Sequence, residues 1–399
     1  MNNQTVKPQL LKGFRDFFAE DIQIREYVIN TFKRVFEKYG YEPLETPALE
    51  YADIFEKESG EEAVKLFYKF KDEGERDIML KYEVMIAMCR TVAENINTIV
   101  FPYKRYQIQP VWRAEKPQKG RYREFTQCDA DTVGTDSVIA DAEFIQMGIE
   151  ALKKLGFEKF RANISNRKFL NGIILYSGAS NEQFIPICLS IDKLPKIGRD
   201  TVKKELLEKR KVPETVVDKI LNIVTKKGET DELLSVFKKQ LKDIPVAVVG
   251  LNELEQIFNY FKYVELSEEN YLFAPYIARG LAYYTGPIWE FEIMDGMVGS
   301  VAGCGRYDNT IGRFVGKRMP GTGGSFGIDR IVEVIKDRKM FTSSKTPIQV
   351  LVTLFDQNSL QDTLKVTNKL RKNNIPTMLY PEATKLDKQL KYADRKKIP

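Results

Sequence analysis

The amino-acid sequence predicts an α+β protein: strand hairpins and amphipathic helices, a helical insertion between them, and a small α/β domain at the C-terminal end. Two strand-forming runs, 105–113 and 122–134, flank a basic loop that contains Pro117 and Gly120, the pattern of a long hairpin. From about 166 to 243 the texture changes to short helical segments rich in Lys and Glu, at 200–210, 213–226 and 231–241. After linker-like residues 341–347 the order is strand, helix, strand, helix at 349–355, 360–372, 376–380 and 385–396. That βαβα order predicts a separate domain with parallel pairing.

In chain order, residues 21–40 form the first helix, with Val28, Phe32, Val35, Phe36 and Tyr39 at helical spacing and Gly40 as a stop. Pro43 and Pro47 confine residues 41–49 to an edge or interface strand. A hairpin turns at 71–74 between strands at 63–71 and 76–81, and a helix spans 82–96. Another amphipathic helix spans 137–155 and is followed by a strand at 160–164. Beyond the insertion come a helix at 252–263 and strands at 271–274, 288–294 and 297–302. The stretch 322–339 starts glycine-rich and turns helical. Its successor domain offers only two strands, marginal as a free-standing sheet, so that domain is expected to be truncated.

Composition narrows the chemistry. The 399 residues support two or three domains, and 43% apolar with 30% charged residues is ordinary for a globular chain. No apolar run approaches the ~20 residues of a membrane span, and residues 1–14 lack the apolar core of an export signal. Cys89, Cys128, Cys188 and Cys304 are scattered without a Cys-x-x-Cys pair. They point to neither a disulfide framework nor a metal knuckle, and a cytoplasmic location is expected. A net charge of +6 permits a polyanionic partner without requiring one. The chain contains no histidine, which removes Ser-His hydrolysis, imidazole-ligated zinc and imidazole general bases. Reactions run by positioning and charge neutralisation, such as nucleotidyl transfer, remain.

Four segments could carry such a reaction. Arg113, Lys116, Lys119, Arg121 and Arg123 cluster in the basic hairpin, where guanidinium forks could grip phosphates and Phe125 could lie against a base. The competing reading is a solvated charged turn. Residues 278–286 place Arg279 beside Tyr283 and Tyr284 between two glycines, suited to a small polar pocket or to a core strand. Residues 299–308 alternate small side chains, as a pocket floor or a glycine-rich turn would. Glycines at 323–327 lead into a helix that carries Arg330. No phosphate-loop or dinucleotide fingerprint is present.

In this order, the segments resemble class II aminoacyl-tRNA synthetases, and the histidyl-tRNA synthetase family in particular. The helix at 21–40 with the strand ending at Pro47 is similar to motif 1, Arg113–Glu115 through Phe125 to motif 2, and Gly323 to Arg330 to motif 3. Residues 279–286 and 303–308 are similar to the two histidine-specific segments. The resemblance implies a class II catalytic core, an antiparallel sheet flanked by helices, at 1–165 and 244–340. It also implies an insertion domain at 166–243 and a partial anticodon-binding-like domain at 347–399.

Roles follow from the same resemblance. Arg113 and Arg279 are the expected catalytic residues, acting on the α-phosphate. Glu115, Arg121, Phe125 and Arg330, with Arg113, are expected to bind ATP, which arrives with Mg2+; no protein metal site is expected. Glu83, Gln127, Asp131, Tyr283 and Tyr284, with Arg279, are expected to bind L-histidine. Histidine tRNA is the implied acceptor, and a homodimer through motif 1 the implied assembly, with no membrane. Three positions depart from the family pattern: Met85 replaces a threonine near the ammonium site, Ala282 an aspartate, and Cys304 a glycine, where it is expected to crowd the pocket floor. A second reading is a catalytically silent paralogue resembling the regulatory subunit of ATP phosphoribosyltransferase. A third is a non-catalytic RNA-binding module.

Overall fold

The structure is a computed structural model that describes residues 7–57, 61–118, 120–279, 283–294, 299–341 and 346–399. Its strands are β1 (Glu42–Pro43), β2 (Leu49–Tyr51), β3 (Lys69–Lys71), β4 (Asp77–Leu80), β5 (Tyr103–Trp112), β6 (Glu124–Val133), β7 (Phe160–Asn166), β8 (Tyr271–Phe273), β9 (Pro287–Ile293), β10 (Ser300–Arg306), β11 (Gly321–Gly327), β12 (Val350–Val352) and β13 (Thr377–Leu379). Its helices are α1 (Ala19–Lys38), α2 (Ala52–Glu56), α3 (Glu61–Val64), α4 (Val84–Glu94), α5 (Ile139–Lys154), α6 (Arg167–Ser177), α7 (Phe184–Ile191), α8 (Leu194–Glu208), α9 (Glu214–Val224), α10 (Thr230–Gln240), α11 (Pro245–Tyr263), α12 (Thr310–Val315), α13 (Ile328–Asp337), α14 (Leu360–Lys372) and α15 (Leu386–Lys396).

The chain divides into two compact units, one of residues up to Phe14 with Val28–Val334, the other of Arg15–Tyr27 with Ile335–Pro399. In the first, eight strands form one sheet in the order β1-β5-β6-β11-β10-β9-β7-β8. Pairing is antiparallel except at the two ends, where β1 joins β5 and β8 joins β7 in parallel. β5 and β6 pair from Tyr103↔Val133 to Trp112↔Glu124, so one long hairpin projects the basic loop. β2, β4 and β3 make a separate small sheet. The second unit holds the parallel pair β12 and β13 with α14 and α15.

One face of the large sheet is apolar. Phe32 from α1, Phe144 from α5, and Phe291 gather around Phe326 at ring separations of 4.7, 6.1 and 5.3 Å. Gly148 lets α5 lie this close, because a β-carbon there would collide with the Phe291 and Phe326 rings. Strand alternation sends the intervening residues to the opposite face: Arg105, Gln107 and Gln109 on β5, and Gln127, Asp129 and Asp131 on β6. That polar face carries the site. Between β7 and β8 the chain runs through α6 to α11, where α6 and α11 pack closely, Gly172 against Ala247.

Four segments differ from the sequence expectation. The strand expected at 63–71 is the short helix α3 followed by β3. Glycine-rich 321–327 is a central strand, β11, rather than a lead-in to the helix. Hydrogen-bonding partners on both sides offset the weak strand preference of glycine, and neighbouring side chains, Asp131 and Cys304, fill the space its missing side chains leave. β10 runs on to Arg306 where the strand was expected to end at 302. The last helix before β8 starts at Pro245, not 252.

Candidate active site

The polar face of the sheet opens into a cavity of about 410 Å³. β6 supplies Phe125 and Gln127, the hairpin loop Arg113, Glu115 and Arg121, β10 Val301 to Gly303, β11 Ser325, and the start of α13 Arg330. Glu83, Tyr283 and Tyr284 complete the inner wall. Of the residues expected to bind ATP or histidine, all but Asp131 are on this wall. Lys119, Ala282 and Met297 lie outside the described residues.

The outer half is cationic and aromatic. The Arg113 guanidinium lies over the rings of Tyr82, at 4.3 Å, and Phe125, at 5.1 Å, and its Nε donates to the Tyr82 carbonyl at 3.1 Å. Arg330 donates to the Ser300 carbonyl at 2.7 Å. Burial and the nearby Arg121 charge pull the Arg330 guanidinium below its ordinary value. Two contacts bind the hairpin to α13: the Thr126 N–H donates to Asp329 at 3.0 Å, and the Tyr122 hydroxyl to Glu333 at 2.7 Å. An adjoining cavity of about 800 Å³ shares Arg121, Arg279, Ser300 and Arg330 with this one.

Arg279 sits between the two cavities. Its backbone is left-handed (φ 47), costly for a residue with a β-carbon. Two side chains hold it there. Arg167, at the start of α6, donates to the carbonyls of Ala278 at 2.9 Å and Arg279 at 3.2 Å, and Glu290 on β9 pairs with the Arg279 guanidinium at 2.7 Å. The guanidinium occupies the space where Gly303 has no side chain. Sequence reading missed Arg167 and Glu290, because no local spacing links either residue to Arg279.

The inner half is built on buried polar groups. Gln127 accepts from the Val84 N–H at 3.1 Å, so it fixes the N-terminus of α4, and its Nε2 donates to Ser325 at 3.3 Å. Burial pushes the Glu83 carboxyl above its ordinary range, opposed by the Arg113 charge. Lys81 anchors the turn that presents Tyr82 and Glu83 by donating to Gln109 at 2.7 Å and to the Thr46 carbonyl at 3.1 Å. Its own burial lowers its pKa to about 8. The Tyr283 and Tyr284 rings lie 4.6 Å apart.

Asp131 departs from its expected place. It is buried behind the cavity wall, pairs with Arg105 at 2.5 Å and accepts from the Tyr307 hydroxyl. Cys304 also departs: a side chain at Gly324 would collide with its sulfur, while Gly303 and Gly305 face Arg279 and Tyr284. Cys304 therefore points to the apolar face and does not crowd the pocket floor. Met85 lies in the apolar cluster around α4, with the Cys89 thiol 3.6 Å from its sulfur, away from the cavity wall.

This architecture, an antiparallel sheet with an arginine-bearing hairpin on one side and a glycine strand leading into an arginine-bearing helix on the other, is a class II aminoacyl-tRNA synthetase core. The family model described as histidyl-tRNA synthetase matches residues 13–331, and the chain belongs to that family. A histidine–tRNA ligase of Cytophaga hutchinsonii is 40% identical over 98% of this chain and 91% of its own. The crystal structure of histidyl-tRNA synthetase from Nostoc sp. PCC 7120 superposes with a TM-score of 0.86 at 29% identity, covering 99% of this chain and 90% of that one. A Bacillus halodurans structure titled as an ATP phosphoribosyltransferase regulatory subunit/histidyl-tRNA synthetase reaches 0.81, covering 97% of each chain. Its 19% identity carries the fold alone.

Proposed function

We propose that this chain activates L-histidine with ATP to histidyl-adenylate and transfers the histidyl group to histidine tRNA. The observation that carries the reading is the convergence of Arg113, Arg279 and Arg330, from three distant segments, on one cavity whose inner end holds Glu83 and two tyrosines. Attack of a carboxylate on an α-phosphate needs alignment and charge neutralisation rather than proton transfer, so the absence of histidine is no obstacle.

Arg113 and Arg279 neutralise the α-phosphate and the attacking carboxylate, and Arg121 holds the outer phosphates. Phe125 and Arg330 sandwich the adenine, with Glu115 at its amino edge. Glu83 takes the substrate ammonium; Gln127, Tyr283 and Tyr284 shape the amino-acid end. Mg2+ arrives with the ATP phosphates as part of that substrate. Residues 1–165 and 244–340 form the catalytic core in this reading, 166–243 an inserted domain, and 347–399 an anticodon-binding-like domain. The assembly is a homodimer through the motif 1 region.

Histidine-dependent exchange of pyrophosphate into ATP tests the proposal. The intact chain is expected to exchange, and Arg279→Ala to lose roughly 100-fold or more in rate, the effect of removing a preorganised transition-state donor. An intact chain that binds histidine without exchange favours the silent paralogue instead.

A further inference from the structure

Arg279 belongs to a short segment, Ala278 to Gly286, that also bears Tyr283 and Tyr284. One residue from outside meets both ends of it. A single guanidinium nitrogen of Arg167 donates to the carbonyls of Ala278 at 2.9 Å and Arg279 at 3.2 Å, and the Arg167 main-chain N–H donates to the Gly286 carbonyl at 2.8 Å. Arg167 opens α6, the first of the helices between β7 and β8. It is buried, its guanidinium lies 4.5 Å over the Phe184 ring of α7, and among the described residues it forms no salt bridge. Burial pulls that guanidinium below its ordinary value, opposed by Cys188 and Asp192. A cation buried without a paired carboxylate is costly, and what this one meets is the main chain around Arg279. The start of α6 is itself fixed by α11. Asn166, its cap, donates to Glu253 at 2.7 Å, and Lys168 pairs with the same carboxylate. Gly250 lets the two helices touch, because a β-carbon there would collide with the Phe169 main chain.

Taking the proposed histidine-activating reading as its basis, we propose that Arg167 is a positioning residue for adenylate formation, through which the helices between β7 and β8 hold Arg279 in its reacting geometry. The left-handed backbone of Arg279 (φ 47) is disfavoured for a residue with a β-carbon and persists only where its surroundings enforce it. The two carbonyls that Arg167 meets belong to the peptide units before and after the Arg279 α-carbon. Peptide units are planar, so fixing both of them fixes the φ and ψ between them. With those angles set, the Arg279 side chain leaves the backbone toward Gly303, where its guanidinium takes the space of the missing side chain and pairs with Glu290. Arg167 lines neither of the two cavities that Arg279 borders, so its effect on the reaction runs through Arg279.

The test is pyrophosphate exchange in Arg167→Met, Arg167→Lys and Arg279→Ala, and in Arg167→Met combined with Arg279→Ala. Arg167→Met is expected to lower kcat by about 10- to 100-fold and to leave the KM for ATP and for histidine within about threefold, because a displaced transition-state donor costs rate rather than ground-state binding. Arg167→Lys is expected to stay within about fivefold of the wild type, since one ammonium can meet both carbonyls as one guanidinium nitrogen does. In the Arg279→Ala background, Arg167→Met is expected to cost less than about twofold more, as for two residues that act as one unit. A purely structural role would instead lower activity alike in both backgrounds, together with the melting temperature. Methionine fills much of the same space and carries no charge to desolvate, so the fold is expected to hold; Arg167→Gln gives the same comparison if it does not. Unchanged kcat in Arg167→Met, an undiminished further loss in the Arg279→Ala background, or Arg167→Lys falling as far as Arg167→Met overturns the proposal. A wild type without exchange overturns the histidine-activating reading and this inference together, whereas an active wild type with any of those three results overturns this inference alone.

Discussion

Asp129 on β6 is a buried carboxyl with a strongly shifted titration. Its carboxyl rises from the ordinary range to about 8, first through burial, with Asp131 and Glu83 adding to the shift and Arg105 and Ser325 opposing it. Below the unfolded-state value both folded and unfolded chains hold that proton. Between there and about pH 8 only the folded chain does, so the stability this group contributes is lost as pH rises through that window. Asparagine does not titrate. The melting temperature of Asp129→Asn relative to the wild type is therefore expected to climb between about pH 5 and about pH 8.5. A flat difference across that range would contradict the buried, proton-holding carboxyl. With no histidine in the chain, no imidazole of the protein can produce the same signal.

At the scale of elements, the strands of the site are tied to the helical layer by one buried ion cluster. Arg306, at the end of β10, pairs with Asp141 of α5 at 2.5 Å and donates to the carbonyls of Thr135 and Ser137, both at 2.9 Å. Thr322 of β11 donates to the other Asp141 oxygen at 2.7 Å. Three elements thus share one carboxylate, and none of its charge reaches water. Arg306→Met removes the cation and leaves Asp141 buried and unpaired, expected to destabilise by about 3–5 kcal/mol. Denaturant melts check this, and a loss below about 1 kcal/mol would mean that water or a rearranged neighbour replaces the guanidinium. Sequence showed Arg306 only as part of a glycine-rich stretch, since its partner is 165 residues away.

At the scale of the whole molecule, the outer face of the β2-β4-β3 sheet is unusually apolar for a surface. Leu49, Tyr51 and Phe70 are 44%, 50% and 46% exposed, and register places them with Leu80 and Ile78 on one face. The strand follows directly on the motif 1 segment, which makes this face the proposed dimer contact. If the proposed homodimer forms through this face, Tyr51→Glu combined with Phe70→Glu is expected to shift light scattering from dimer to monomer relative to the wild type at equal concentration. A double variant that stays dimeric moves the contact elsewhere. Among the described residues no helix is long and apolar enough to cross a membrane.

Local patterns alone determined much of this protein. Helical spacing of Val28, Phe32 and Phe36 marked α1, the basic turn between two strand-forming runs marked the β5–β6 hairpin, and the succession of arginine- and tyrosine-bearing segments marked the family. These signals are legible because they arise within one turn or one hairpin, where sequence neighbours are spatial neighbours. Only the tertiary structure decided which face each strand turns to the site. Cys304 and Gly303 are adjacent in sequence, yet one meets the apolar layer and the other the Arg279 guanidinium. Alternation fixes that two neighbours point apart but not which one points to the ligand; packing of the aromatic cluster under α5 made that choice. The same holds for Asp131, whose partners Arg105 and Tyr307, the latter 176 residues away, are set by register across the sheet rather than by residue type.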